Sequence, residues 1–307
     1  MQSKAKKFIS DMQKDYQIYL FLLPSLVYFL IFCYVPMVGI QIAFKDYKPI
    51  QGIWGSAFVG WKHFVRFFSS YQAGSIIRNT LFISLYQLIA SFPIPILLAL
   101  LMNQLRSQRM KKALQTVTYA PHFVSVPAVV GMIAVMLSPS SGGVFYQALD
   151  ALCGGKAGVP MGNSDWFSTI YVLSGIWQHA GWDAIIYIAA LSAVDPALYE
   201  AAEIDGAGKM KKILYIDIPS LLPTAVIMLI LNSGKMMSIG FEKVLLMQNS
   251  MNLEASEIIS TYVYKQGLIN REYSYSTAIN LFNSAINFIL ITLVNFAAGK
   301  MADTRIW

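Results

Sequence analysis

Apolar and polar positions are unevenly distributed along this chain. They form long apolar stretches separated by shorter charged ones, with no sustained alternation of period two. A helix needs about 20 mainly apolar residues to cross the hydrocarbon core of a bilayer, whereas the strands of a membrane barrel are segments of roughly 10 residues that alternate in polarity. The pattern predicts helical spans at about 16–44, 79–105, 116–137, 168–194, 220–247 and 273–299. The fold class expected is therefore all-α, a polytopic membrane protein with six transmembrane helices. A short segment, 1–15, precedes the membrane domain of 16–300, and a tail, 301–307, follows it.

Composition agrees with a membrane chain. Of 307 residues 56% are apolar and 13% charged, where soluble domains carry about 25% charged residues. This excludes a disordered, collagenous or coiled-coil chain and a soluble enzyme with a charged surface. The first span is expected to stay in the membrane, because its apolar run exceeds the ~7–15 residues of a signal-peptide core. A net charge of +7 would suggest nucleic acid for a soluble protein, but here the charges lie between spans and no nucleic-acid partner is expected.

Lysine and arginine placement sets orientation. An even number of spans puts both termini on one side, which carries Lys4, Lys6, Lys7, Lys14, Arg106, Arg109, Lys111, Lys112, Lys209, Lys211, Lys212, Lys300 and Arg305. The opposite loops, about 45–78, 138–167 and 248–272, carry eight such residues over a greater length. Both termini are expected to be cytoplasmic.

The most informative cytoplasmic loop is 195–219. Asp195-Pro196 reads as a helix start, Leu198–Ile204 as a short helix with small residues Ala201 and Ala202, and Gly206 and Gly208 as its end. Lys209–Ile218 reads as a second short helix, with Pro219 marking re-entry into the membrane. Such a helix–turn–helix, exposing Glu200 and Asp205, suits docking on a partner; the plainer alternative is a loop whose proline and glycines only shape a turn.

Glu200-Ala201-Ala202, then Gly206, then Ile216-x-Ile-Pro219 resembles the EAA loop of permease subunits in bacterial ABC importers, with Ile218 where the family usually has Leu. The fuller run through Asp205-Gly206-Ala207 resembles the carbohydrate-uptake branch that includes the maltose importer. Phe21-Leu-Leu-Pro-Ser-Leu, Tyr34-Val-Pro-Met, Gly240-Phe-Glu-Lys, Ile259-Ser-Thr-Tyr-Val-Tyr, Tyr273-Ser-Tyr-Ser-Thr-Ala and Trp307 resemble the lipoprotein and polygalacturonan permeases within it.

The resemblance implies a type I ABC importer permease fold in the bacterial inner membrane. It also implies oligosaccharide cargo, including that from acidic plant or algal polysaccharides. The implied partners are a second homologous permease, two copies of a cytoplasmic ATPase that holds ATP and Mg, and an extracytoplasmic solute-binding protein. By the same resemblance Glu200, Ala201, Ala202, Asp205, Gly206, Ala207 and Pro219 form the ATPase-coupling loop.

Charged residues inside spans usually face a cavity or a partner. In the fourth span Gln178, Trp182 and Asp183 suit a sugar path, through an amide, an indole face and a carboxylate; the alternative for Asp183 is helix packing. The fifth span is interrupted at Asn232-Ser-Gly-Lys235 and again at Glu242-Lys243, and broken helices near the midplane are where transport proteins build sites. Asn232, Lys235 and Glu242 are accordingly pathway candidates or structural pairs, with Lys235 and Glu242 expected on one helix face. Tyr262, Tyr264, Tyr273 and Tyr275 read first as an interfacial belt.

No metal site is expected, since His63, His122 and His179 lie in three separate regions of the sequence. Cys33 and Cys153 are not expected to bond. No G-x-x-x-x-G-K-[ST] phosphate loop occurs, so no cofactor is expected on this chain and ATP hydrolysis must come from a partner. A membrane enzyme would need a nucleophile–base pair within the spans, and none is evident. The rival readings are an ABC permease for another solute, or an ion-coupled secondary transporter using Asp183 and Glu242.

Overall fold

A computed structural model describes residues 14, 16–105, 107–237 and 240–302. The segment 1–15, apart from Lys14, lies outside these, as do Arg106 and the end of the tail with Arg305 and Trp307. Among the described residues four helices are long and apolar enough to cross a membrane unbroken: Tyr16–Phe44, Ala73–Asn103, Lys209–Ser233 and Tyr273–Lys300. Two bent pairs, Gln108–Phe123 with Val126–Met136 and Ser164–Ser192 with Pro196–Ile204, bring the number to six when each is taken as one span.

The bends correct two expectations. The stretch expected as one span over 116–137 turns by 100° near Val124. Pro121 and Pro127 flank the bend, and each removes a helical N–H and crowds the preceding turn. The second helix of the 195–219 loop does not stop at Pro219 but runs on as one 25-residue helix, Lys209–Ser233. A π-turn over Ile213–Asp217 directly precedes the proline, loosening the backbone where the ring would otherwise strike a carbonyl one turn back.

The backbone forms two compact units. The smaller comprises residues 1–67 and 266–281. Its first helix exposes nearly every side chain, Phe21 and Leu20 included, as suits a helix facing lipid. A two-stranded antiparallel ribbon, β1 (Lys45–Asp46) and β2 (Ala57–Phe58), follows. Tyr47 N–H donates to Ser274 Oγ at 2.9 Å, Arg66 pairs with Glu272 at 2.8 Å, and the Arg66 guanidinium lies 4.2 Å from the Tyr275 ring centre. Tyr275 is therefore a buried packing residue, not part of an interfacial belt.

The larger unit, residues 68–265 and 282–307, is organised around the Ser164–Ser192 helix. One apolar cluster joins Phe167, Tyr171 and Val172 of that helix to Ile83, Val130, Val244 and Ile258. A second joins Tyr187 and Leu191 to Ala99, Leu100 and Leu221. Gly181 permits one very close crossing: a Cβ there would lie 2.1 Å from the Thr118 carbonyl oxygen.

Candidate functional site

The polar residues singled out by the sequence fall in two regions of the larger unit. The first is the loop after the fourth span. Pro196 begins the Pro196–Ile204 helix, where a missing N–H costs nothing, and the Asp195 carboxylate accepts from Ala197 N–H at 2.9 Å. At the far end the chain turns through Gly206 with φ +72°. Gly206 N–H donates to Glu203 O at 3.0 Å and Ala207 N–H to Ala202 O at 2.8 Å, the paired bonds of a Schellman helix end. Glycine stands there for its backbone: an added Cβ would meet nothing within 4 Å. Glu200, Ala201 and Asp205 are exposed, Ala202 and Ala207 half-buried. Lys212 pairs with Glu203 at 2.5 Å.

The fully buried Asp217 anchors this loop. Its carboxylate accepts from Tyr199 Oη at 2.5 Å, Gln104 Nε2 at 3.0 Å and Asn103 Nδ2 at 3.3 Å. One side chain thus ties the loop helix and the end of the second span to the base of the fifth. Burial, and then the hydrogen bond to Asp217 and its charge, push the Tyr199 phenol up to about 12. It remains a proton donor across the neutral range.

The second region lies where the fifth span breaks. The helix ends at Ser233 and the chain resumes as Phe241–Met247. Backbone groups freed by the break find side-chain partners: Met237 N–H donates to Asn287 Oδ1 at 2.9 Å, Asn283 Nδ2 to Met237 O at 3.3 Å, and Gly240 N–H to Tyr171 Oη at 3.1 Å. Irregular backbone at membrane depth survives only with such partners or beside a cavity.

Here both are present. A cavity of about 240 Å³ is bordered by His179, Asp183, Asn232 and Lys235. One of about 270 Å³ is bordered by Tyr171, Gln178, Glu242 and Lys243. The two share Gln87, Gly175, His179 and Gly240.

Five of the six pathway candidates therefore border these cavities, while Trp182 does not. Its indole stacks flat on His122, with centroids 4.4 Å apart and an angle of 4°, because the Gly181 crossing brings the third span against this part of the fourth. Lys235 and Glu242 do not share a helix face, since the helix between them is interrupted. His122 and His179, separate in sequence, meet with their Nδ1 atoms 3.1 Å apart.

The sequence from 91 to 303 matches the model of the family described as "Binding-protein-dependent transport system inner membrane component". The chain belongs to this family. It is 43% identical to the polygalacturonan/rhamnogalacturonan transport system permease protein YteP of Bacillus subtilis (strain 168), over 99% of this chain and 94% of that one. It is 40% identical to Protein LplB of the same strain, over 97% of this chain and 93% of that one. A crystal structure of a bacterial alginate ABC transporter, in complex with alginate pentasaccharide-bound periplasmic protein, matches with a TM-score of 0.87 and 37% identity. That match covers 97% of this chain and 99% of the other.

As an inner-membrane transport component the chain is a permease and not an enzyme. Sequence reasoning missed four of this permease's notable polar residues: Asp217, Gln87, His179 and Lys243. The spacing of His179 and Asp183, four residues apart on one helix face, was a usable signal. Asp217 offered none, because two of its partners are 113 and 114 residues away in sequence.

Proposed function

We propose that this permease is one transmembrane subunit of an ATP-driven importer of oligosaccharides, of the kind derived from acidic plant or algal polysaccharides. It pairs with a second homologous permease and two copies of a cytoplasmic ATPase, and receives cargo from an extracytoplasmic solute-binding protein. ATP and Mg belong to the ATPase. The relatives' cargo and the binding protein seen beside the alginate transporter support this reading. The lysine and arginine bias supports cytoplasmic termini.

The observation that carries the proposal is the hydrogen-bonded link between the 195–219 loop and the spans. The outward face of Glu200, Ala201 and Asp205 docks on the ATPase. Closure of the ATPase then moves a helix that is tied through Tyr199 and Asp217 to two spans. The loop's second helix is continuous with the fifth span, so its displacement reaches the break at Ser233 and the cavities beside it. Each state of such a cycle is favoured by its own contacts with cargo or partner.

Affinity purification of the tagged permease from native membranes tests this. A nucleotide-binding subunit and a second six-span chain are expected to co-purify, with the nucleotide-binding subunit lost when Glu200→Lys and Gly206→Ala are combined. The assembled complex is expected to hydrolyse ATP faster when oligosaccharide-loaded binding protein is added. Recovery of the permease alone in every detergent would overturn the reading and favour an ion-coupled carrier using Asp183 and Glu242.

A further inference from the structure

The cavity of about 270 Å³ is bordered by a buried lysine. Lys243 borders it with 7% of its surface exposed. Nζ donates to Tyr171 O at 3.2 Å and lies 5.1 Å from the centre of the Tyr171 ring. Among the described residues Lys243 forms no ion pair, although Glu242 borders the same cavity. An ammonium group carries three donors, so among the described residues one carbonyl and one ring face leave donors open and no anion paired with the charge. A buried charge is costly unless paired.

One neighbouring group shares this incompleteness. Gln178 is 2% exposed; its NH₂ donates to Val124 O at 3.0 Å, which leaves Oε1 buried without a hydrogen-bond partner among the described residues. Gly175 bares the fourth span at the same place. A Cβ there would stand 3.6 Å from Lys243 Nζ and 4.0 Å from Gln87 Nε2, so an ammonium and an amide donor converge over one patch of backbone. This part of the wall thus offers two donors, one of them cationic, and one neutral acceptor, with the Glu242 carboxylate elsewhere on the same border.

We infer that Lys243 and Gln87 bind the carboxylate of a uronate residue as an acidic oligosaccharide passes, while Gln178 Oε1 accepts from a hydroxyl of the sugar. This rests on the oligosaccharide reading and deepens it, by naming the charged group recognised and the atoms that recognise it. A carboxylate accepts from both donors and neutralises the ammonium. A neutral sugar fills the hydrogen bonds but leaves the buried charge unpaired. Selection for acidic cargo is therefore exercised by this permease inside the membrane, in addition to any choice made by the binding protein.

The test uses the complete transporter in vesicles, supplied with binding protein and ATP, and compares uptake of trigalacturonate with uptake of its uncharged methyl ester. Lys243→Met is expected to lower trigalacturonate uptake at least tenfold and uptake of the ester much less, since the ester loses a hydrogen bond but no charge pairing, and Lys243→Arg to restore the acid. The binding protein is the same throughout, so its own preference cancels between variants. Should Lys243→Met fail to assemble, Lys243→Gln, which keeps a donor for Tyr171 O, is read in the same way. An equal loss for both sugars, or no loss for either, would overturn the inference while leaving the importer reading intact. Failure of the wild-type transporter to import either sugar would overturn the oligosaccharide reading, and this inference with it.

Discussion

The Asp217 anchor and the cavity at the broken fifth span contain the same kinds of residue, yet they are completed differently. At Asp217 a buried carboxylate meets three donors from two distant stretches of chain, Tyr199 in the loop helix and Asn103 and Gln104 at the end of the second span. Beside the cavity, among the described residues, a buried ammonium has one carbonyl and one ring face and a buried amide oxygen has no partner. A polar cluster that is internally complete holds elements together, and one left incomplete beside a cavity is reserved for something that arrives. The difference is one of satisfaction rather than composition.

The largest expected effect breaks the complete cluster. Asp217→Ala removes the common acceptor and leaves Tyr199, Asn103 and Gln104 facing one another without it. With hydrogen bonds to charged groups each worth about 1.5–3 kcal/mol, the loss should exceed roughly 3 kcal/mol. It would be seen as poor assembly or a lowered unfolding temperature of the purified transporter. Lys243→Met removes no comparable network, and assembly should survive it.

Gly181→Ala comes next. The added methyl would lie 2.1 Å from the Thr118 carbonyl oxygen, so two helices must separate, at a cost of about 1–3 kcal/mol. Gly175→Ala on the same helix is the control. Its methyl meets Lys243 Nζ at an ordinary 3.6 Å, and unfolding temperature should change little. The two glycines separate a packing requirement from a patch left open beside a cavity.

Tyr199→Phe sharpens the anchor by removing one donor of three, for about 1.5 kcal/mol. Because the phenol is held up to about 12, above its ordinary 10.0, it is protonated in both folded and unfolded chains below pH 10. Its contribution to stability should therefore be constant at neutral pH and fall as pH rises from about 10 towards 12. The gap in unfolding temperature between wild type and Tyr199→Phe should narrow over that window.

Local chemistry was legible in the sequence and tertiary chemistry was not. Asp195-Pro196 and Gly206 announce a helix start and stop through their own backbone and side-chain preferences, and both are where expected. Polar residues within apolar runs pointed to Gln178, Asp183, Asn232, Lys235 and Glu242, all of which border the cavities. Trp182 was grouped with them because an indole face suits a sugar ring, and the His122 stack shows what that reading omits: the neighbouring helix. The bend near Val124 was signalled by Pro121 and Pro127 and passed over, because the apolar run continues through it. The His122–His179 contact spans 57 residues and had no local trace.

Gly206→Ala is expected to change global unfolding least, because local fraying relieves its strain, and to be the most selective for coupling. At φ +72° a side chain costs roughly 1–2 kcal/mol, and the surroundings would not resist the methyl sterically. The cost therefore falls on the Schellman turn, which can relieve it by giving up the Ala207 to Ala202 bond and fraying the last turn of the docking helix. Gly208 stands two residues on with φ −70°, a conformation open to alanine, so Gly208→Ala should be silent. Asn, which enters the left-handed region more readily than alanine, should recover part of the loss at position 206. Cargo-stimulated ATP hydrolysis of the assembled transporter should follow the order wild type, Gly206→Asn, Gly206→Ala, with unfolding temperature scarcely changed. If Gly206→Ala and Gly208→Ala behaved alike, the loop would act through its flexibility, and the fixed helix end would not be what transmits ATPase closure to the fifth span.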